Sequence, residues 1–566
     1  NQKEGISGML FPFGYGDGGG GPTEIMVEML NRCGDLQGAP RTKIEGPEEY
    51  FRRVGEQPID NTYYGELYLA WHRGTYTAQA RIKKKARQAE AALRQTDFLA
   101  GLLRLLEKPP RDALTQKEEG MDEYLEALWK ELLFCEFHDI LPGTSIRRVN
   151  EEAEKSLDKV RREAFSLADS LLAKIAGEGA VFNSLSWSRE YGGLLLPPCG
   201  FVKKTRGGKP KKREGTIRAI LEENGKKVII ESEDYRAVVD GLGRILSLCD
   251  RETGYEYVTG ALNELCMYRD INVDYDAWEI GRMYEAVPVK LKGEGKLYLR
   301  CEPDGVHMDI HREEAYFTWQ QEIIFLEGSR RIEFKTKVDW RERHKLLKVV
   351  FPTTVYTKEV MEEIQFGYLK RPTHRSRRYE KDRYETCHHR YAALSDGKNG
   401  FAVLNNCKYG ISAKDSTLAL TLLRAPVKPD EEADQGQHEF TYALYLFAGP
   451  FTESDVVREA YELNLPVQIA DGVSKSNETT SYFSIDQKNI ILETLKPAME
   501  EKNGAVARLY ESMGSAVECN LFVPPSVREV WLCNMLEERQ ERVLLMGRRV
   551  QLKFHSFEIK TLLLVV

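Results

Sequence analysis

The stretch FCEFHDILPGTSI, Phe134 to Ile146, sets an imidazole, His138, beside a carboxylate, Asp139, at the break between two helical patterns. Before it, Leu125, Leu128, Trp129, Leu132 and Leu133 recur at helical spacing, and Pro142-Gly143 ends the run. After it a second helix is expected from Thr144 or Ser145, with Ile146, Val149, Ala153, Leu157, Val160, Ala164, Ala168, Leu171 and Ile175 on its buried stripe. Two rigid helices then hold the dipeptide in place. A lone histidine near a helix end is more often a satisfied core or capping group than a metal ligand, so the dipeptide alone does not settle a function.

A second signal lies near the start, in MLFPFGYGDGGGGPT from Met9 to Thr23. Met9 to Phe13 reads as a buried strand running into a glycine loop whose backbone can take positive φ and approach a ligand. Pro22 and Thr23 then open a helix carrying Ile25, Met26, Met29 and Leu30, closed by Gly34. Asp17 would stand at the carboxyl end of that strand, where α/β folds place their chemistry. A flexible glycine linker with a solvated Asp17 is the competing reading, because no phosphate-loop pattern is present.

The chain of 566 residues is long enough for three or more domains, and a hydrophobic share of 42% supplies several cores. Its formal charge of -7 suggests neither a nucleic acid nor an anionic membrane as partner. No stretch approaches the roughly 18 consecutive apolar residues of a membrane span. The 10 cysteines include no CxxC pair, and those such as Cys266 and Cys407 lie among apolar neighbours, which favours buried free thiols and a reducing compartment. The patterns change near Gly177-Gly179. Before it they are helical, with Pro47-Glu48-Glu49 at a helix start and Arg81 to Arg87 as a solvated basic face. After it they alternate as strands do, in Val306, Met308 and Ile310 and in Ile332, Phe334, Thr336, Val338 and Trp340, with Asp240-Gly241 as a turn and Lys203 to Arg213 as an exposed loop.

The two opening stretches together resemble glycoside hydrolase family 38, the metal-dependent retaining α-mannosidases, in their bacterial form. The resemblance continues through GELYLAWHRGTYTAQARIKKKARQAE from Gly65, VFNSLSWSRE from Val181, DAWEI at Asp276, VDWRERHKLLKVVFP from Val338, FGYLKRPTH from Phe366, LNNCKYG from Leu404, ADQGQHEFTYAL from Ala433 and the stretch Glu493 to Glu511. It implies a multidomain α+β fold: the remnant of an α/β barrel at 1–34, a three-helix-type bundle at 35–178, a large antiparallel β-sandwich region at 179–450 and a C-terminal β domain at 451–566. It also implies that His138 is a ligand of a divalent metal, normally zinc, that Asp139 hydrogen-bonds hydroxyls of the mannose being cleaved, and that Asp17 is the acid/base carboxylate. The partners are then α-mannoside oligosaccharides.

The family's early His-x-Asp metal pair and its nucleophilic, metal-binding aspartate are not found in this sequence. The expectation is therefore a truncated mannosidase lacking most of its N-terminal barrel, inactive alone and weak in zinc binding, since zinc uses three or four protein ligands and retaining cleavage needs two carboxyl groups. The alternative is a non-catalytic carbohydrate-binding or scaffold protein derived from a mannosidase. Self-association, or association with the missing barrel segment, is expected through uncovered apolar surface. The location is expected to be cytoplasmic, with secretion left open by the missing amino terminus.

Other constellations read as structural. His388-His389 would point to opposite faces of a strand. Asp270, Asp274, Asp276 and Glu279 read as a solvated acidic loop pinned by Trp278 rather than a calcium clamp. His374 and His438 are given packing or hydrogen-bonding roles. Arg73 is a candidate to pair with a carboxylate at the domain boundary, with none assigned, and Ala70-Trp71 stands where the resemblance leads one to expect an acidic residue before the aromatic.

Overall fold

The computed structural model describes residues 6, 8–16, 19–58, 62–106, 116–203, 216–222, 227–272, 274–474 and 477–566. Two compact units part between Tyr68 and Leu69, so residues 35–68 fall in the first unit and not with the helices that follow.

The first unit carries two short helices. In α1 (Glu24–Arg32) the Thr23 hydroxyl accepts from the Met26 backbone N–H at 3.2 Å, and α2 (Pro47–Gly55) opens with proline where its missing N–H costs nothing. The strand expected at Met9 to Phe13 is not formed: these residues pair with no neighbour among the described residues, and Met9 and Phe11 are exposed. A lone extended segment leaves its N–H and C=O groups without a ladder, so apolar sequence alone does not make it a strand. Lys204 to Arg213, most of the expected basic loop, lies outside the described residues.

The second unit opens with three long helices, α3 (Ala80–Leu106), α4 (Gln116–Cys135) and α5 (Arg147–Ala176). Their apolar stripes share one core that includes Leu93, Phe98 and Leu102 of α3, Leu128 and Leu132 of α4, and Leu157, Val160 and Leu171 of α5. Each such fully buried side chain contributes roughly 1.5–3 kcal/mol. Leu133 and Ile146, placed by periodicity among the buried residues, are exposed at 56% and 57%.

Helix α3 is covered on nearly every side, which overturns the solvated reading of Arg81 to Arg87. Lys83 and Arg87 are buried. Arg81 pairs with Glu154 at 3.0 Å, and Lys85 with Glu154 and Asp158. A buried charge is tolerable only with partners, and these come from other helices and from sheets far along the chain. One contact explains a glycine. At Gly101 an added Cβ would stand 2.9 Å from the Lys496 backbone, so α3 approaches the strand Ile490–Pro497 more closely than any side chain permits.

Every described strand pairing is antiparallel, and the strands form several sheets. A nine-stranded sheet contains Phe317–Leu326, Arg331–Trp340 and Gly436–Ala448 side by side, and a six-stranded sheet contains Lys345–Pro352 beside Thr417–Arg424. Val338, Phe334 and Tyr442 of the first share a core with Val349 and Leu420 of the second. The strand alternation read at residues 306–310 and 332–340 is thus the inward face of this region. A five-stranded and a four-stranded sheet follow at 484–565, packed on one another and on the helices through Leu509, Leu562, Leu521 and Leu552.

Candidate functional site

Helix α4 ends at Cys135, and the chain then coils through Glu136 to Thr144 before α5. Backbone bonds from Ile140 and Leu141 to the Phe137 carbonyl, and from Gly143 to Ile140, close this turn. Gly143 adopts φ +80°, and a Cβ there would lie 2.5 Å from the Ala78 carbonyl oxygen, so glycine is required for both conformation and contact. The expected caps of α5 are used otherwise. Thr144 Oγ1 donates to Asp139 Oδ1 at 3.2 Å and Ser145 Oγ to the Asp139 carbonyl at 2.7 Å, leaving Ile146 at the cap and Arg147 as the first helical residue. Hydroxyls that bond the preceding turn are unavailable to the helix.

One residue that the sequence reading missed holds the turn. The buried Lys83 ammonium donates to the carbonyls of Ala78 at 2.5 Å, Leu141 at 2.9 Å and Pro142 at 3.2 Å. It clasps the segment after Asp139 to the start of α3. Burial pushes its pKa down to about 7. The start of α3 is itself capped from afar, the Asp434 carboxylate accepting from the Gln79 and Ala80 N–H groups at 2.8 and 2.7 Å. The basic run hid Lys83, since nothing local distinguishes it from its solvated neighbours.

On this scaffold His138 projects outward, its side chain 77% exposed, with the ring against Phe137 at 4.2 Å between centroids. Its Nε2 lies 3.4 Å from Asp139 Oδ2. Leu133, Phe134, Phe137 and Ile146, near it in sequence, are also exposed. Among the described residues no group of three or more His, Cys, Asp or Glu side chains comes together to hold a metal. The donor set therefore fits one corner of a coordination sphere and not a complete site. Asp17 lies outside the described residues, so only His138 and Asp139 are brought together.

The remaining candidates fall into structural roles. His388 is fully buried with Nδ1 on the Tyr409 carbonyl and Nε2 on Asn405, so neither nitrogen is open to a metal, and burial pushes its pKa down to about 3. His438 accepts this fate too, its Nε2 bonded to the Asp434 carbonyl at 2.7 Å, and His374 lies 3.3 Å from Glu380. The acidic loop is corrected in part: Asp274 is exposed, but the loop is not solvated throughout. Asp270 and Asp276 are buried around the guanidinium of Arg424, which bonds Asp270 at 2.6 and 2.9 Å and the carbonyls of Asp276, Ala277 and Glu279. Arg73 bonds the Asp382 and Ala70 carbonyls and lies 3.5 Å from Glu279.

Long helices joined to large antiparallel sheets are an architecture shared with solved structures. The fold is similar to that of an α-mannosidase from Enterococcus faecalis V583, with a TM-score of 0.68 at 15% identity over 91% of this chain and 72% of that one. It is also similar to a glycosyl hydrolase family 38 protein from Enterococcus faecalis, at TM-score 0.71 and 14% identity over 96% and 76%. Four models of one family match in succession: the glycosyl hydrolases family 38 N-terminal domain at 1–73, the alpha mannosidase middle domain at 70–175, the family 38 C-terminal domain at 230–432 and its C-terminal beta sandwich domain at 489–562. The chain belongs to glycoside hydrolase family 38. Relatives include Alpha-mannosidase 2C1 of Mus musculus, 33% identical over 594 residues, and of Homo sapiens, 34% over 597. Each alignment covers 98% of this chain and 56% of the relative, so the chain spans about half the length of the curated relatives it matches.

Proposed function

We propose that this chain serves the metal-assisted, retaining hydrolysis of terminal α-mannosides. The observation that carries the proposal is the rigid, outward presentation of His138 beside Asp139, in a chain whose relatives are named α-mannosidases. In this reading His138 gives one nitrogen to a divalent metal, zinc being the ion its chemistry suits. Such an ion, when bound, fixes sugar hydroxyls and favours the oxocarbenium-like transition state. Asp139, kept in place by Thr144 and Ser145, accepts from hydroxyls of the mannose. Asp17 supplies the acid/base carboxyl.

A retaining site needs a second carboxyl group about 5 Å from the first, and a metal needs further ligands. We propose that both come from residues outside these 566, so that this chain alone is inactive or nearly so. Its organisation is proposed as a barrel-derived segment up to about Tyr68, helices to 178, a large sandwich region to 450 and a C-terminal β domain from 451, supported by the compact units and by the succession of family models. A cytoplasmic location is supported by ten cysteines that are all free. The exposed apolar residues near His138 in sequence support self-association of the isolated chain, which light scattering at several concentrations tests: a monomer throughout contradicts it.

The function itself is tested by turnover of an aryl α-mannoside, by the chain alone and with a polypeptide carrying the family's His-x-Asp barrel segment. The expected result is turnover only with the added segment, abolished by His138→Ala. Turnover by the chain alone contradicts the incomplete-site reading, and turnover indifferent to His138→Ala contradicts the role of that residue.

A further inference from the structure

Helix α3 turns Arg81, Lys84, Lys85 and Gln88, spaced so that they share one face, into a trough of about 490 Å³. The other walls are Asp158 and Arg161 of α5, Lys337 of the strand Arg331–Trp340, and Glu439 and Phe440 of the strand Gly436–Ala448. Its size falls within the roughly 300–1,000 Å³ of small-molecule sites.

Its charges do not balance. Glu154 serves both Arg81 at 3.0 Å and Lys85 at 2.9 Å. Asp158 serves Lys85 at 2.7 Å and Arg161 at 3.8 Å, and Glu439 serves Lys84 at 3.6 Å and Lys337 at 3.3 Å. Five cations thus share three carboxylates, an excess of two positive charges. Lys408 lines the same trough, donating to the Leu422 carbonyl and lying 4.1 Å from the centre of the Phe440 ring. The buried Asp434 carboxylate interacts with Lys83 and Lys408 as well as with Arg81, so it does not cancel the excess.

The positive surroundings leave a mark on a neighbour. The His438 imidazole, in the same wall, is pushed down to about 3 by burial and then by Lys408, with Arg81 and Lys84 adding to the effect. Lys84 and Arg161 stand beyond hydrogen-bond distance from their carboxylates, and their side chains remain 21% and 35% exposed. Donors of one sign, incompletely matched and open to solvent, thus line one space.

We propose that this trough binds a phosphate group, free or carried on a sugar, at a site that uses neither His138 nor Asp139. A phosphate monoester carries about −1.5 to −2 charges at neutral pH, which matches the excess of two. Lysine ammonium groups meet it as point charges and the Arg161 guanidinium as a fork, whereas a neutral sugar leaves the excess in place and a polyamine adds to it. The formal charge of -7 on the whole chain disfavours a long polyanion and leaves a small one of the trough's size. A second trough of about 580 Å³ shares Lys84, Gln88 and Lys337 and adds Gln320, Asn406 and Thr441, neutral groups suited to the hydroxyls of an ester. The inference goes beyond the mannosidase reading and does not require it.

The test is isothermal titration of the 566-residue chain, at low ionic strength in a phosphate-free buffer, with inorganic phosphate, D-glucose 6-phosphate, D-glucose and spermidine. Lys84→Gln, Arg161→Gln and Lys337→Gln each remove one trough cation, and Lys553→Gln removes an exposed charge from the C-terminal sheets; circular dichroism checks that each variant folds. The expected result is saturable binding of phosphate or its ester, weakened about tenfold by Lys84→Gln or Arg161→Gln. The more exposed Lys337→Gln weakens it less, and Lys553→Gln leaves it unchanged. Equal affinity for the two phosphates assigns free phosphate as the ligand, and tighter binding of the ester assigns the phosphosugar. The proposal is overturned if neither phosphate binds, if the trough variants leave binding unchanged, if Lys553→Gln weakens it equally, or if D-glucose or spermidine binds in place of the phosphates.

Discussion

Two acid-bearing loops look alike in sequence and end in opposite surroundings. The turn at His138-Asp139 and the loop from Asp270 to Glu279 each set carboxylates near an aromatic residue at the edge of regular structure. In the first the imidazole is 77% exposed and faces solvent. In the second the carboxylates of Asp270 and Asp276 are at most 5% exposed and enclose Arg424, itself fully buried. The difference lies in a cation about 150 positions away in the chain. Local composition announces that charge is present, and only the tertiary partner decides whether that charge builds the fold or remains available for chemistry.

The largest expected effect tests the buried member. Arg424→Met leaves two carboxylates without their cation and should cost about 3–5 kcal/mol, read as a lower urea midpoint at unchanged slope. A loss within about 0.5 kcal/mol, the usual surface value, would erase the distinction between the loops.

Next comes the clasp that connects the exposed turn to the core. Lys83→Met leaves the carbonyls of Ala78, Leu141 and Pro142 without their donor and should cost roughly 1–3 kcal/mol. Amide exchange at Ile140 to Gly143 should quicken more than exchange along α5. Equal quickening in both would mean that the ammonium supports the helices generally and not the turn.

Titration gives a third, smaller effect with a definite sign. Asp97 is raised from 3.8 to about 7 by burial, so the folded chain holds this proton more tightly, and the associated stability is present at low pH and lost as pH rises through that window. Lys83 is lowered from 10.5 to about 7, so the cost of its buried charge is complete below about 7 and fades as pH rises toward 10.5. Asp97→Asn, which keeps an acceptor for the Trp129 indole N–H, should flatten the decline between 3.8 and 7 and leave the alkaline limb intact. A decline that persists in the variant belongs to other groups. The smallest effect is that of His138→Ala, whose exposed ring should leave stability within about 0.5 kcal/mol.

Much of the architecture was legible because periodicity reports burial. The stripes of α4 and α5 and the alternation through Val338 and Trp340 follow directly from which face meets a core. The exceptions have different causes. Met9 to Phe13 is apolar but has no pairing neighbour among the described residues, Leu133 and Ile146 continue a stripe past the point where the core ends, and Thr144 and Ser145 bond Asp139 within the turn before they can cap a helix. The site was legible only as far as His138 and Asp139. The clasp of Lys83 was concealed inside a basic run whose burial depends on partners more than 300 residues further along, among them Tyr409 and Asn464 of helix α6 (Val456–Asn464).

The central proposal is that His138 supplies a single corner of a metal site and that no complete cage forms among the described residues. Equilibrium dialysis of the 566-residue chain against zinc, followed by metal analysis, tests it most directly. The account expects well under one tightly held zinc per chain, with no difference between the chain and His138→Ala after dialysis against a weak chelator. One zinc retained per chain and released by His138→Ala would contradict it.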